Sequence, residues 1–172
     1  MKQMKPLPAL ALLTTMILCN SASGTALLEP GDAFPAFDAR DQHDTEYQFQ
    51  PGTRTVLIAF DMQTAKKTNK KLANLDAGFL ADNEAVFISN IYGMPRVGRL
   101  FALPKMRKYP HRIVLADAEN LLSLFPRKAD RVTIIRLNAS AAVLSVDFWN
   151  PGEEELWDYF DRGATASATS LD

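Results

Sequence analysis

The chain has 172 residues, with 19 Lys and Arg against 20 Asp and Glu and one cysteine, Cys19. So even a charge balance excludes a polycation built to hold nucleic acid and argues against a membrane-surface protein. One thiol excludes both a disulfide-stapled scaffold and a Cys-x-x-Cys redox pair.

Residues 1–26 read as an export signal. Lys2 and Lys5 form a basic start, Leu7 to Leu18 is an apolar run too short to span a bilayer, and small residues follow from Ser21 to Ala26. Gly24 and Ala26 flank Thr25 in a small-x-small pattern, which predicts cleavage after Ala26; Ser23 offers a second cleavage point. An uncleaved anchor or a buried helix is the bland alternative. Cys19 would be the lipidated residue of a lipoprotein, but Ile17 and Leu18 stand where that processing wants small residues. Cleavage near Ala26 removes Lys2 and Lys5 and moves the formal charge from −1 to about −3. The mature chain then holds no thiol. This predicts a periplasmic or secreted protein with no integral membrane segment in its mature form. Residues 27–162 suit a single domain, and the Ala/Ser/Thr-rich residues 163–172 read as a disordered tail.

Strand and helix signals alternate along the domain. Glu29 to Asp32 is a turn, Phe34 to Asp38 a short extended piece, Asp41 to Asp44 a polar turn, and Thr45 to Phe49 a return strand. Arg54 to Phe60 is a near-continuous apolar run, as expected for a strand buried on both faces. Thr64 to Leu75 reads as a helix with Lys66, Lys67, Lys70 and Lys71 in water. Ala85 to Ser89 is a second buried strand. Gly93-Met94-Pro95 opens another helix, with Val97, Leu100, Phe101 and Leu103 as its apolar set and Pro104 ending or kinking it. Arg112 to Ala116 is a third strand, and Ala118 to Phe125 a short helix stopped by Pro126. Arg131 to Leu137 and Ala142 to Trp149 form a hairpin around residues 138–141. Asn150, Pro151 and Glu153 give a capping-box start to a last helix with Leu156, Tyr159 and Phe160 inward. The sum is an α/β fold: a central mixed β-sheet flanked by helices, with an N-terminal β-hairpin.

That order, together with Pro30-Gly31-Asp32-Ala33-Phe34-Pro35-Ala36-Phe37 and the following Asp41-Gln42, resembles the thioredoxin-like fold of the peroxiredoxin group, the alkyl hydroperoxide reductase and thiol-specific antioxidant family. The resemblance covers about residues 29–161. It places a reactive cysteine just after the first core strand, at the start of the next helix, where the helix N-terminus lowers a thiol pKa. Here that stretch reads Asp61-Met62-Gln63-Thr64-Ala65-Lys66-Lys67. The resemblance also implies a cis-proline before the late hairpin, where this chain has Asp130-Arg131-Val132-Thr133. Neither thiol–disulfide exchange nor peroxidase activity is expected.

Candidate site residues are few. Asp61 could act as a general base and Thr64 as a ligand-binding hydroxyl, though both residue types are favoured helix caps. Arg96 and Arg99, near a helix start, could hold an anion; solvated arginines are the plainer reading. Asp41, His43, Asp44 and Glu46 lack the spacing of a calcium loop, and His111 stands far from them, so no metal site is expected. No phosphate loop, dinucleotide fingerprint or nucleophile elbow is present, so no cofactor is expected. The sequence favours a non-catalytic binding module whose partner is a periplasmic protein or a small anionic ligand. The alternative is an enzyme using non-thiol groups or a bound cofactor such as a flavin.

Overall fold

The computed structural model describes residues 26–160. Cys19, residues 1–25 of the expected export signal and the expected tail at 163–172 lie outside the described residues.

A seven-stranded mixed sheet carries the chain. Its strands are β1 (Asp38–Asp41), β2 (Glu46–Gln48), β3 (Thr55–Ala59), β4 (Ala85–Asn90), β5 (Val114–Ala116), β6 (Val132–Leu137) and β7 (Val143–Trp149). The helices are α1 (Met62–Leu72), α2 (Phe79–Asp82) and α3 (Arg96–Met106). Strand order is β2-β1-β5-β4-β3-β6-β7. β3, β4 and β5 run parallel to one another, and the hairpins β1–β2 and β6–β7 flank them through antiparallel pairs.

All five residues of β3 are buried, because the sheet is covered on both faces. Leu57 and Ala59 join Phe87, Ile134 and Trp149 in the layer under the helices. Val56 and Ile58 join Val86, Ile88 and Ile135 on the opposite face. Among the described residues no helix covers that second face. Phe34 does so instead, stacked on Phe49 with 4.7 Å between ring centroids and packed on Phe125 at 5.4 Å. Phe34 and Phe37 therefore leave the sheet plane, and the first strand falls at Asp38–Asp41 rather than at residues 34–38. Pro35 has no N–H to offer a ladder.

Gln42 fastens the N-terminal hairpin to the body. Its side-chain amide copies a strand residue: Nε2 donates to the His111 carbonyl at 2.8 Å, and Oε1 accepts from the Ile113 N–H at 2.7 Å. Arg107 closes the joint by donating to the Gln42 carbonyl at 2.9 Å. The adjacent turn needs a left-handed residue, and Asp44 supplies it at φ 65°.

Four local features depart from or add to the sequence reading. First, Ala118 to Phe125 is not a helix but a series of turns, bonded Leu121 N–H to Ala118 and Phe125 N–H to Leu122; eight residues before a proline do not repay helix nucleation. Second, the last helix starts late. Glu154, not Glu153, reaches back to the Asn150 N–H at 2.8 Å, and helical backbone begins only at residue 157. Glu154 is held there by Tyr159, whose hydroxyl donates to it at 2.7 Å, and by Arg131 at 3.1 Å. Third, Phe79–Asp82 forms a helix of one turn, too short to leave a periodic signal. Fourth, α3 turns its expected apolar set outward. Met106 is buried and Leu103 packs on the core, whereas Val97, Leu100 and Phe101 are 68, 71 and 64 % exposed. Pro104 lies inside α3, on that same exposed side, and has no N–H to offer the Leu100 carbonyl one turn back.

His111 is buried against Tyr109 and Phe87, with Nε2 2.9 Å from the Asn69 side-chain oxygen and Nδ1 unpartnered. Burial lowers its pKa from the ordinary imidazole value near 6.5 to about 4. The unfolded chain therefore binds a proton first as pH falls. Denaturant titrations should show about 3 kcal/mol of stability lost between pH 6.5 and 4, and the loss should shrink in His111→Phe. Replacing Gln42 by Leu strands a backbone donor and a carbonyl in the core. Unfolding should become easier by about 2–4 kcal/mol, with hydrogen exchange rising first at Ile113.

Candidate functional site

The edge of the sheet at the carboxyl ends of β3, β4 and β5 is where a doubly covered parallel sheet exposes loop residues for binding. Phe60 and Asp61 follow the end of β3. Asp61 is extended (φ −131°, ψ 160°) and is the N-cap of α1. Its Oδ1 accepts from the Thr64 N–H at 2.8 Å and its Oδ2 from the Thr64 hydroxyl at 2.8 Å. Both carboxylate oxygens are thus engaged by one residue, and Thr64 is buried. The cap reading of this pair is the one the geometry favours, with the hydroxyl proton committed to the carboxylate.

At the end of β4, Asn90 crosses to the neighbouring strand and donates to the Phe60 carbonyl at 3.2 Å, while its side-chain oxygen accepts from the Tyr92 N–H at 3.0 Å. Gly93, at φ 76°, then lets the chain turn into α3. Arg99 reaches back across this turn. Its guanidinium forms a two-pronged pair with the Asp117 carboxylate and also donates to the Met94 carbonyl at 3.1 Å and the Ile91 carbonyl at 3.3 Å. Arg99 therefore ties β4, α3 and the end of β5 together and keeps little donor capacity for a bound anion. Arg96 is exposed and makes no ion pair among the described residues. All four predicted site residues sit at starts of helices on this edge, but no hydrogen bond joins Asp61 and Thr64 to Arg96 and Arg99.

Beside them lies a cleft of about 300 Å³ whose lining includes Phe60, Asn90, Tyr92, Glu119, Phe125 and Arg127. The Arg127 guanidinium sits 5.9 Å from the Phe60 ring centroid. A larger cleft of about 590 Å³ separates β1 from α3, with Asp38, Arg40, Leu103, Arg107 and Leu115 among its walls. Its charges are mostly spent locally: Arg40 pairs with Asp44 at 2.9 Å, and Arg112 with Asp41 at 3.0 Å. Asp41 is buried, which raises its pKa, yet N–H groups of Thr45 and His43 and the Arg112 charge outweigh this and hold it below the usual carboxylate range. The acidic tip of the hairpin is therefore a closed turn. Among the described residues no group of three His, Cys, Asp or Glu converges as metal ligands would.

Two features of this region had little sequence signal. Asp117 is the first acidic residue after Glu84, and that spacing alone could have marked it as the partner of an arginine in between. Arg131 stands before β6, next to the end of β3, and pairs with Glu154 at 3.1 Å. Asp130 precedes it at φ 58°, and no cis peptide occurs among the described residues.

Comparison with solved structures settles the architecture. The chain superposes on a thiol:disulfide interchange protein, DsbE, from Chlorobium tepidum with a TM-score of 0.58 and 12 % identity, over 80 % of this chain and 98 % of that one. It superposes on the peroxidoxin BcpB from Mycobacterium tuberculosis with a TM-score of 0.51 and 15 % identity, over 84 % and 99 %. A protein disulfide isomerase-type structure from Bacteroides thetaiotaomicron gives 0.54 and 10 %, over 81 % and 92 %. The fold is thioredoxin-like.

No protein-family model matches the sequence, and no curated protein matches it either. On this thioredoxin-like scaffold, the position that the resemblance assigns to a reactive cysteine is the capped start of α1, held by Asp61 to Thr64. The only cysteine is Cys19, so a Cys-x-x-Cys pair cannot form. This cap geometry predicts a contribution to stability. Asp61→Ala should lower unfolding free energy by about 1 kcal/mol in urea titrations, while Asp61→Asn, which keeps an acceptor, should lose less.

Proposed function

We propose that the chain is an exported, non-catalytic binding module built on a thioredoxin-like scaffold. The observation that carries this reading is the closed start of α1. The group that would do chemistry there is an aspartate whose two oxygens are both consumed by Thr64. A second support is Arg131, locked to Glu154 beside the end of β3, where the resemblance implies a substrate-facing proline. Fold alone does not carry activity, so the lost groups weigh more than the shared architecture. Export is supported by the three-part N-terminal pattern of Lys2 and Lys5, Leu7 to Leu18, and the small residues ending at Ala26.

Two measurements test the reading. Disulfide reduction with insulin and consumption of hydrogen peroxide should both run at the rate of buffer containing dithiothreitol alone, at any protein concentration. Turnover that scales with protein and vanishes in Asp61→Asn would overturn the non-catalytic assignment. Mass spectrometry of protein recovered from the cell envelope should show an N-terminus at Leu27; an intact Met1 or a lipid on Cys19 would overturn the cleaved-export assignment.

A further inference from the structure

The two long helices lie on the same face of the sheet, since Ala65 and Leu72 of α1 and Met106 of α3 enter one core layer. Neither helix contains an acidic residue. α1 carries Lys66, Lys67, Lys70 and Lys71, and α3 carries Arg96, Arg99 and Lys105, followed by Lys108. From Ala85 to Ala116 the chain has no Asp or Glu at all, although acids outnumber bases overall. Lys71 is paired with Glu155, and Arg99 with Asp117. Lys66, Lys67, Lys70, Arg96, Lys105 and Lys108 make no ion pair among the described residues. The near-zero net charge thus conceals two acid-free, base-bearing helices on one sheet face.

Across that side runs an apolar ridge. Val97, Leu100, Phe101 and Pro104 recur at i, i+3, i+4 and i+7, and all four are exposed. Tyr92, 49 % exposed, stands just ahead of the helix. Single exposed apolar residues need no explanation, but a contiguous stripe rimmed by charge marks a contact surface. Val97, Leu100 and Phe101 line neither of the clefts described above, so the stripe is a ridge rather than a groove. Helices packed on one sheet face present their free sides in the same direction. A planar anionic surface meets both at once, whereas a short acidic peptide would meet one.

We propose that this face docks on an anionic phospholipid bilayer. Val97, Leu100 and Phe101 enter the headgroup layer, and Arg96, Lys105, Lys108 and the α1 lysines lie over lipid phosphates. Glu155 pairs with Lys71 and Asp117 with Arg99, and Asp61 caps α1, so the attraction rests on the six bases that make no ion pair. The proposal names the partner of the binding module described above and fails separately from it: a protein that ignores vesicles still lacks thiol chemistry.

The test is flotation of the exported protein with vesicles of phosphatidylcholine, alone or mixed with phosphatidylglycerol. The protein should float with the mixed vesicles and not with phosphatidylcholine alone. Lys→Gln changes at Lys66, Lys67 and Lys70 should weaken partitioning about fivefold each. Leu100→Ser with Phe101→Ser should weaken it about tenfold or more while leaving the melting temperature unchanged, because both side chains are already in water. Equal binding to both vesicle types would overturn the proposal. So would binding unaffected by the Leu100 and Phe101 changes, which would reveal simple charge adsorption. Capture by soluble polyglutamate as strong as capture by anionic vesicles would assign the face to an acidic polymer instead.

Discussion

Every layer of this protein is arranged around the hydrogen-bond demand of β3. Its five residues are buried on both faces, so each backbone N–H and C=O must find a partner within the sheet. β4 satisfies one side in parallel and β6 the other in antiparallel fashion. The parallel partner requires a crossover, and α1 with α2 provides it on the helical face. The antiparallel partner arrives only after the chain has passed through α3 and β5 and returned across the opposite face in the turns around Leu121, Leu122 and Phe125. That return leaves the second face roofed by phenylalanines instead of a helix.

Much of this frame was legible in the sequence, for a physical reason. Strands buried on both sides must be apolar throughout, so Val56 to Phe60 and Ala85 to Ser89 announced themselves as runs. The Asp61 cap was equally legible, because capping depends on short-range geometry between one side chain and N–H groups two or three residues on. Illegible were the features set by distant partners. The first strand slipped from residues 34–38 to Asp38–Asp41 because its register comes from β5, more than 70 residues later. Glu154 displaced Glu153 because Arg131 and Tyr159 also hold it. The Arg99–Asp117 pair was hidden by the same logic: charge counted along the chain says nothing of where its counter-charge folds.

The reversal of α3 is the most informative of these departures. A stripe of Val97, Leu100, Phe101 and Pro104 satisfies the helical period as well as the inward set does, and periodicity cannot say which of two neighbouring stripes faces the sheet. The choice is made by Leu103 and Met106, which reach the core, and by Arg99, which must stay near Asp117. Once those three are fixed, the rotation of the helix is fixed, and the other apolar residues are left in water.

Gln42 has a consequence for how the protein can vary. Its side chain behaves as one additional rung of the ladder between β1 and β5, and it does so only if the backbone leaves β1 at one particular residue. Inserting a residue between Asp41 and Gln42, or deleting one from β1, would carry the amide out of reach of His111 and Ile113 and turn the hairpin's side chains to the wrong face. The length of the N-terminal hairpin is thus a rigid dimension of the molecule.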